Sequence, residues 1–168
     1  MKMMNMISGT ILAVLSFLWT STALAEEKSV NTEEPSELSA EYNMEFIHLP
    51  SSQLNLVVDK KDSQCMYESG DDQFNLPIGK QHSIYLEDSN NLFSGCAFKT
   101  KSVEWKISSG PISCHLIFEH GYDNDWYTEI KGCENIVDKA ICKGEDCNQK
   151  KVYGGDSKID IKLEISAN

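Results

Sequence analysis

The sequence predicts an all-β protein: a single antiparallel β-sandwich (Ig-like or similar), stabilised by disulfides and preceded by a flexible acidic arm. Three observations support this prediction. Hydrophobic residues recur with a period of two rather than the roughly 3.6 of a helix. Turn-forming residues separate these runs at short intervals, which is typical of sandwiches and barrels. Six cysteines occur in the chain, an even number that suits a disulfide framework.

The alternation is clearest near the carboxyl terminus, where four aliphatic side chains alternate with Lys158, Asp160, Lys162 and Glu164. Such a pattern places all the aliphatic side chains on one face of a strand. Two further strands are predicted over residues 44–49 and 54–58. The alternating hydrophobic side chains are Ile84, Leu86, Val103, Trp105, Ile107, Leu116, Phe118, Trp126, Ile130, Ile159, Ile161, Leu163 and Ile165.

Turn residues punctuate these runs at 70–72, 77–79, 89–91, 109–111, 121–124 and 154–156, all rich in Gly, Pro, Asn, Asp or Ser. Helix is scarce in this pattern, and residues 134–142 could hold at most a short one. The turn at 155–157 contains a serine but lacks the Gly-x-Ser-x-Gly pattern of a hydrolase nucleophile.

Residues 1–25 are predicted to be a cleavable signal peptide. Lys2 supplies a positive start, an apolar run covers residues 11–19, and Ala23-Leu24-Ala25 matches the small-residue pattern at a cleavage site. Residues 26–42 are acidic and poor in apolar side chains, so we expect a flexible arm. Residues 43–168 are then one sandwich domain of ordinary size.

All six cysteines follow the predicted cleavage site, which indicates disulfides in an oxidising compartment. Six cysteines allow many pairings, and sequence alone does not select among them. The positions of the cysteines relative to the predicted strands suggest a local bridge between Cys142 and Cys147. They also suggest a bridge between Cys114 and Cys133 across a hairpin. Cys65 and Cys96 remain as the third pair.

We therefore expect a periplasmic or secreted protein with no membrane anchor after cleavage. The chain contains no Asn-x-Ser/Thr sequon, which favours a bacterial source. Its net charge is −11, and all 15 basic residues are lysine. An acidic chain without arginine is a poor match for phosphate backbones, so nucleic acid is not an expected partner.

We expect no catalytic, cofactor-binding or metal-ligating residue. His115, Glu119 and His120 suggest zinc at first sight, but on a strand His115 and Glu119 lie about 13 Å apart. His120 then points to the opposite face, and the spacing matches no zinc-protease signature. Asp123 and Asp125 offer oxygen ligands for calcium, although the rest of a calcium loop is absent and turns favour these residues anyway.

The sequence favours a non-enzymatic binding protein whose loops, chiefly 120–127 and 134–150, contact a protein or glycan. One version is an acidic inhibitor of a basic enzyme such as a lysozyme. Aromatic and acidic side chains in one turn suit such contacts. The predicted binding loop comprises Tyr122, Asp123, Asp125, Trp126 and Tyr127.

Two alternatives come from other functional classes. A small secreted hydrolase would use His115 and His120 with nearby carboxylates, and would need two histidines to meet a carboxylate in one cleft. A structural component of an envelope assembly would offer an unpaired edge strand to another chain, with residues 158–166 as the candidate.

Overall fold

A computed structural model describes residues 39–167, which all belong to one compact unit of the chain. The predicted signal peptide and most of the predicted acidic arm lie outside the described residues. The structure contains twelve strands: β1 (Glu41–His48), β2 (Leu56–Gln64), β3 (Met66–Ser69), β4 (Gln73–Leu76), β5 (Gln81–Asp88), β6 (Lys101–Ser109), β7 (Ile112–Tyr122), β8 (Trp126–Gly132), β9 (Val137–Cys142), β10 (Glu145–Asp146), β11 (Val152–Tyr153) and β12 (Lys158–Ile165).

The strands form two six-stranded sheets. The first has the order β10-β9-β12-β1-β5-β3 and the second β11-β8-β7-β6-β2-β4. All pairings between these strands are antiparallel except that of β1 with β12, where Met44 lies opposite Ile161. The predicted all-β sandwich is confirmed, with one parallel pair in it. Twelve strands exceed the roughly seven to nine of an Ig-like sandwich.

Period-two alternation explains how the two sheets meet. Every second residue of β6 is buried, as are Tyr42, Met44 and Phe46 of β1. Phe46 makes edge contacts with Trp105 of the opposite sheet, at 5.8 Å between ring centroids. Tyr42 contacts Phe118 of that sheet at 4.7 Å. These aromatic contacts between sheets, together with aliphatic side chains from both, form one hydrophobic core.

Three disulfides connect Cys65 with Cys96, Cys114 with Cys133 and Cys142 with Cys147, the same pairs that position in the chain suggested. The first connects the β2–β3 junction to residues 89–100, the connection between β5 and β6. This connection passes from the first sheet to the second. Three disulfides in one small domain indicate an oxidising environment of the extracellular type.

The first strand begins at Glu41, inside the segment 26–42 that was predicted to be a flexible arm. Ala40 and Tyr42 are buried in the core, and the Ala40 N–H and the Tyr42 hydroxyl both donate hydrogen bonds to Asp88. The end of the predicted arm is therefore part of the sandwich. Two apolar residues among acidic neighbours gave too weak a pattern to show this.

Two further expectations differ from the structure. Residues 134–142 contain β9 rather than a short helix, and no residue from 39 to 167 is helical. The described part of the chain accordingly has no helix able to span a membrane. Residues 158–166 are not an edge strand, because β12 is hydrogen-bonded to β9 on one side and β1 on the other.

Candidate functional site

A cavity of about 570 Å³ opens at the end of the sandwich where β1 and β12 begin and β5 ends. The connection 89–100 forms one side of it, and the β7–β8 hairpin contributes another. The lining residues are Ala40, Asp88, Asn90, Leu92, Ala97, Phe98, His120, Trp126, Gly155, Asp156 and Ser157.

Asp88, the last residue of β5, is a buried carboxylate at the base of this cavity. It accepts hydrogen bonds from the Ala40 N–H at 2.9 Å, the Tyr42 hydroxyl at 3.0 Å and the Asn90 side-chain amide at 3.2 Å. Burial raises the pKa of the Asp88 carboxyl, while the hydrogen bonds from Ala40 and Tyr42 and the charge of Lys101 act in the opposite direction. Asp88 thus anchors the start of β1 to the end of β5.

Lys101, the first residue of β6, is fully buried. Its Nζ lies 4.4 Å from the centroid of the Trp126 ring, within range of a cation–π contact. Among the protein groups of residues 39–167, this Nζ has no hydrogen-bond partner. Burial lowers the pKa of the Lys101 amine, and the Asp88 carboxylate opposes that effect. An ammonium without an acceptor is therefore placed just behind the lining of the cavity.

His120 forms an apolar part of the lining. Its ring stacks on that of Trp126, with centroids 5.0 Å apart, and contacts the Tyr42 ring edge-on. Burial lowers the pKa of His120 to about 4, with smaller effects from the positive charges of Lys101 and Lys143. The imidazole is consequently uncharged at neutral pH, and its Nδ1 lies 3.1 Å from the Thr128 hydroxyl.

The structure separates the members of the predicted binding loop. Tyr122 is exposed, whereas Tyr127 is buried over Gly121 and donates its hydroxyl proton to Glu119 at 2.5 Å. Trp126 is half-buried, because His120, Lys101 and Gly155 all contact its ring. The His120 and Lys101 contacts occupy ring surface of Trp126 that would otherwise be open for stacking against a sugar.

The acidic members of that loop are engaged with nearby groups. Asp123 pairs with the Lys151 ammonium at 2.7 Å and accepts a hydrogen bond from the Tyr153 hydroxyl. Asp125 accepts a hydrogen bond from the N–H of Trp126 at 2.8 Å. Within residues 39–167, no three His, Cys, Asp or Glu side chains are grouped so that they could hold a metal ion. The geometry therefore offers no support for calcium at Asp123 and Asp125.

The four histidines have four different surroundings. His115 pairs with Glu104 on the outer face of the second sheet, whereas His120 faces inward. His82 pairs with Asp71, and His48 lies against the carbonyl of Leu76. No contact in the described part of the chain brings two of them to one carboxylate. The arrangement that a hydrolase using His115 and His120 would need is not formed by these contacts.

Sequence reasoning did not identify the connection 89–100, which carries the most exposed apolar side chains of the described structure. Phe93 is 100% exposed, Phe98 83% and Leu92 68%. The segment is nevertheless held in place by hydrogen bonds from the Phe93 and Ser94 N–H groups to Asn91 and by the Cys65–Cys96 disulfide. The available signal was three large apolar residues between turn residues, without the alternation of a strand.

No protein-family model matches the chain, and no curated protein matches it. Among solved structures, the chain is similar to IP-1A from Alcaligenes faecalis, with a TM-score of 0.49 and 9% sequence identity. The similarity covers 77% of this chain and 91% of that one.

Proposed function

We propose that this is an exported, non-enzymatic binding protein that docks a protein partner through the connection 89–100. The observation that carries the proposal is the complete exposure of Phe93 beside Phe98 and Leu92 on a segment held by a disulfide. Large apolar side chains kept in water are unfavourable, and burial against a partner removes that cost. Because the segment is already ordered, docking loses little conformational entropy.

The same proposal includes export by a cleavable signal peptide and a bacterial source, with the product in the periplasm or released. The three disulfides support the oxidising destination. The small-residue pattern at Ala23-Leu24-Ala25 and the apolar run before it support the leader.

The partner is expected to be a basic protein. The net charge of −11 attracts a positively charged surface over a long range and accelerates encounter. At the β7–β8 hairpin, which the sequence analysis favoured, the contacts around the Trp126 ring restrict the stacking that sugar recognition commonly uses. In one form of this proposal, the protein is an inhibitor that caps a basic enzyme.

The test uses the oxidised protein, expressed from the full chain, as bait in material from its native surroundings. Matched baits carry Phe93→Ser or Tyr122→Ser, each of which replaces one exposed aromatic side chain. We expect Phe93→Ser to weaken binding of the captured partner at least tenfold, the effect of losing an aromatic anchor of about 1.4 kcal/mol or more. Tyr122→Ser should bind like the wild type.

Two results would count against the proposal. Equal capture by the wild type and Phe93→Ser would exclude the connection 89–100 as the docking surface. Loss of capture with Tyr122→Ser alone would assign binding to the β7–β8 hairpin instead. The affinity for the purified partner should also fall as salt is raised, because screening weakens attraction between exposed charges.

A further inference from the structure

We infer that a basic partner inserts one bulky, uncharged apolar side chain into the cavity at the end of the sandwich. The cavity and the connection 89–100 then form a single docking surface. This inference rests on the proposed function, because it specifies what the partner presents to the same connection.

Two residues of the connection belong both to the cavity and to the exposed apolar surface beside it. Leu92 and Phe98 line the cavity, yet they are 68% and 83% exposed. Phe93, the fully exposed residue on which the proposed docking depends, directly follows Leu92 in the chain. A partner surface that covers Phe93 therefore lies beside the mouth of the cavity.

The walls of the cavity are mainly apolar. Leu92, Ala97 and Phe98 form the wall on the side of the connection, and the rings of His120 and Trp126 contribute the wall on the side of the β7–β8 hairpin. Burial keeps the His120 ring uncharged at neutral pH by lowering its pKa to about 4. The volume of about 570 Å³ lies within the range of roughly 300–1,000 Å³ that is usual for small-molecule sites, so a large amino-acid side chain has room to enter.

The charged residues of the lining already have partners within the protein. Asp88 accepts hydrogen bonds from Ala40 and Tyr42. Asp156 pairs with the Lys143 ammonium at 2.6 Å. A charged side chain that entered the cavity would lose its hydration without gaining a free counter-charge. An apolar side chain gains the stabilisation of buried apolar area, so the cavity favours an uncharged apolar anchor.

The charge of the chain favours basic residues around that anchor rather than at its tip. The net charge of −11 attracts a positively charged surface. The connection 89–100 itself contains one charged residue, Lys99, so contact with the connection is mainly apolar and the attraction comes from the rest of the molecule. A loop with basic residues on both sides of an apolar tip matches both properties.

Contacts within the protein give the cavity its shape before a partner arrives. The Cys65–Cys96 disulfide holds the connection, and the Trp126 ring packs against His120 and Gly155. Residues that contribute most of the binding energy at protein interfaces fill well-packed pockets. Because this pocket is already formed, filling it costs little conformational entropy.

The test uses short peptides in which lysines flank a central phenylalanine, alanine, lysine or glutamate. Binding to the oxidised protein, expressed from the full chain, is followed by the NMR signal of the Trp126 indole N–H. We expect saturable binding of the phenylalanine peptide at millimolar concentration, and at least tenfold weaker binding of the other three. Equal binding of the phenylalanine and alanine peptides, tighter binding of the lysine or glutamate peptide, or no saturable binding would overturn the inference.

Ala97→Trp tests the place of binding, because Ala97 lines the cavity and a bulky side chain there would occupy the space of the anchor. We expect it to weaken binding of the phenylalanine peptide at least tenfold. The matched control is Thr100→Trp, the same change at an exposed position of the connection that does not line the cavity. Phe98→Ala removes an exposed part of the wall and should also weaken binding, so the site remains testable if Ala97→Trp fails to fold. Unchanged affinity in folded Ala97→Trp or in Phe98→Ala would overturn the inference.

Capture of the protein partner distinguishes failure of this inference from failure of the proposed function. Ala97→Trp should lose the partner as well as the peptide, whereas Phe93→Ser should lose the partner and still bind the peptide. Capture that requires Phe93 but is unaffected by Ala97→Trp would overturn the inference and leave the proposed function standing. Equal capture by the wild type and both variants would overturn the two together.

Discussion

At the scale of single residues, two oppositely charged side chains near the cavity differ in their hydrogen-bond partners. Asp88 is buried with three hydrogen-bond donors, whereas Lys101 is buried with an aromatic ring and no acceptor. Buried charges are usually paired and hydrogen-bonded, because desolvation of an ion costs several kcal/mol. The incomplete environment of Lys101 is what distinguishes this end of the sandwich from an ordinary core.

His120 makes stability depend on pH in a predictable direction. Its pKa falls from 6.5 in the unfolded chain to about 4 in the folded protein, mainly because it is buried. Between these values the unfolded state binds more protons, so the free energy of unfolding decreases as pH falls from 6.5 toward 4. From pH 7 to pH 5 we expect a loss of about 2 kcal/mol from this group.

The measurement is urea unfolding at several pH values for the wild type and for His120→Phe, which keeps a ring beside Trp126 but does not titrate. The variant should lack the contribution of this group, so its free energy of unfolding should increase relative to that of the wild type by about 2 kcal/mol as the pH falls from 7 to 5. Curves that stay parallel from pH 7 to pH 5 would show that His120 is not held in its neutral form.

At the scale of secondary-structure elements, the sequence pattern predicted which face of a strand is buried better than it predicted which strands lie beside it in the sheet. Residues 158–166 alternate so regularly that their strand was evident, yet the same pattern is compatible with an edge or a central position. Strand β9 was harder to identify, because its burial pattern is irregular. Its buried residues Val137, Ala140 and Cys142 are spaced irregularly because a β-bulge shifts the register against β12. The spacing of three residues between Val137 and Ala140 is compatible with a helical turn as well as with a bulged strand.

The end of β8 depends on a glycine that cannot be replaced. Gly132 has a φ of +75°, and a Cβ at this position would lie 1.9 Å from the carbonyl oxygen of His115 on β7. We expect Gly132→Ala to lower the free energy of unfolding by about 3 kcal/mol or more, since both the backbone conformation and the strand contact are lost.

Gly144→Ala is the matched control for that substitution. Gly144 also has a positive φ, +87°, but no atom lies within 4 Å of a Cβ placed there. Only the conformational cost remains, about 1–2 kcal/mol. Chemical unfolding of both variants should rank Gly132→Ala well below Gly144→Ala, and equal destabilisation would show that the close approach to His115 is not important.

At the scale of the whole molecule, the three disulfides close chain segments of different length: 31 residues for Cys65–Cys96, 19 for Cys114–Cys133 and 5 for Cys142–Cys147. A longer closed segment removes more conformational entropy from the unfolded chain. The loop-entropy relation assigns about 4, 3 and 2 kcal/mol to the three bonds in this order.

Paired Cys→Ala variants test this order by denaturant unfolding, since each variant loses the same two sulfur atoms. The Cys65/Cys96 variant should be the least stable and should also lose the protein partner, because this disulfide holds the connection 89–100. Destabilisation in the reverse order would show that native packing around the sulfurs outweighs the effect on the unfolded chain.

The cavity shows what sequence reasoning lacked at the candidate site. Its apolar residues Leu92 and Phe98 come from a connection between strands, Trp126 from a hairpin, and Asp88 from the end of a strand in the first sheet. No local pattern relates these positions. The predicted hairpin loop did contain Trp126, which lines the cavity, but its acidic residues contact lysine and backbone groups instead.

The sequence by itself determined that the described domain is built of strands, which face of each main strand is buried, and that the chain is acidic and rich in cysteine. These properties are local or additive, since a strand's alternation depends only on its own residues. Only the tertiary structure decided that β12 is central and parallel to β1, that Ala40 and Tyr42 join the core through Asp88, and that Lys101 lies buried beside a cavity. These features depend on contacts between residues far apart in the chain, and such contacts leave no periodic signal in the sequence.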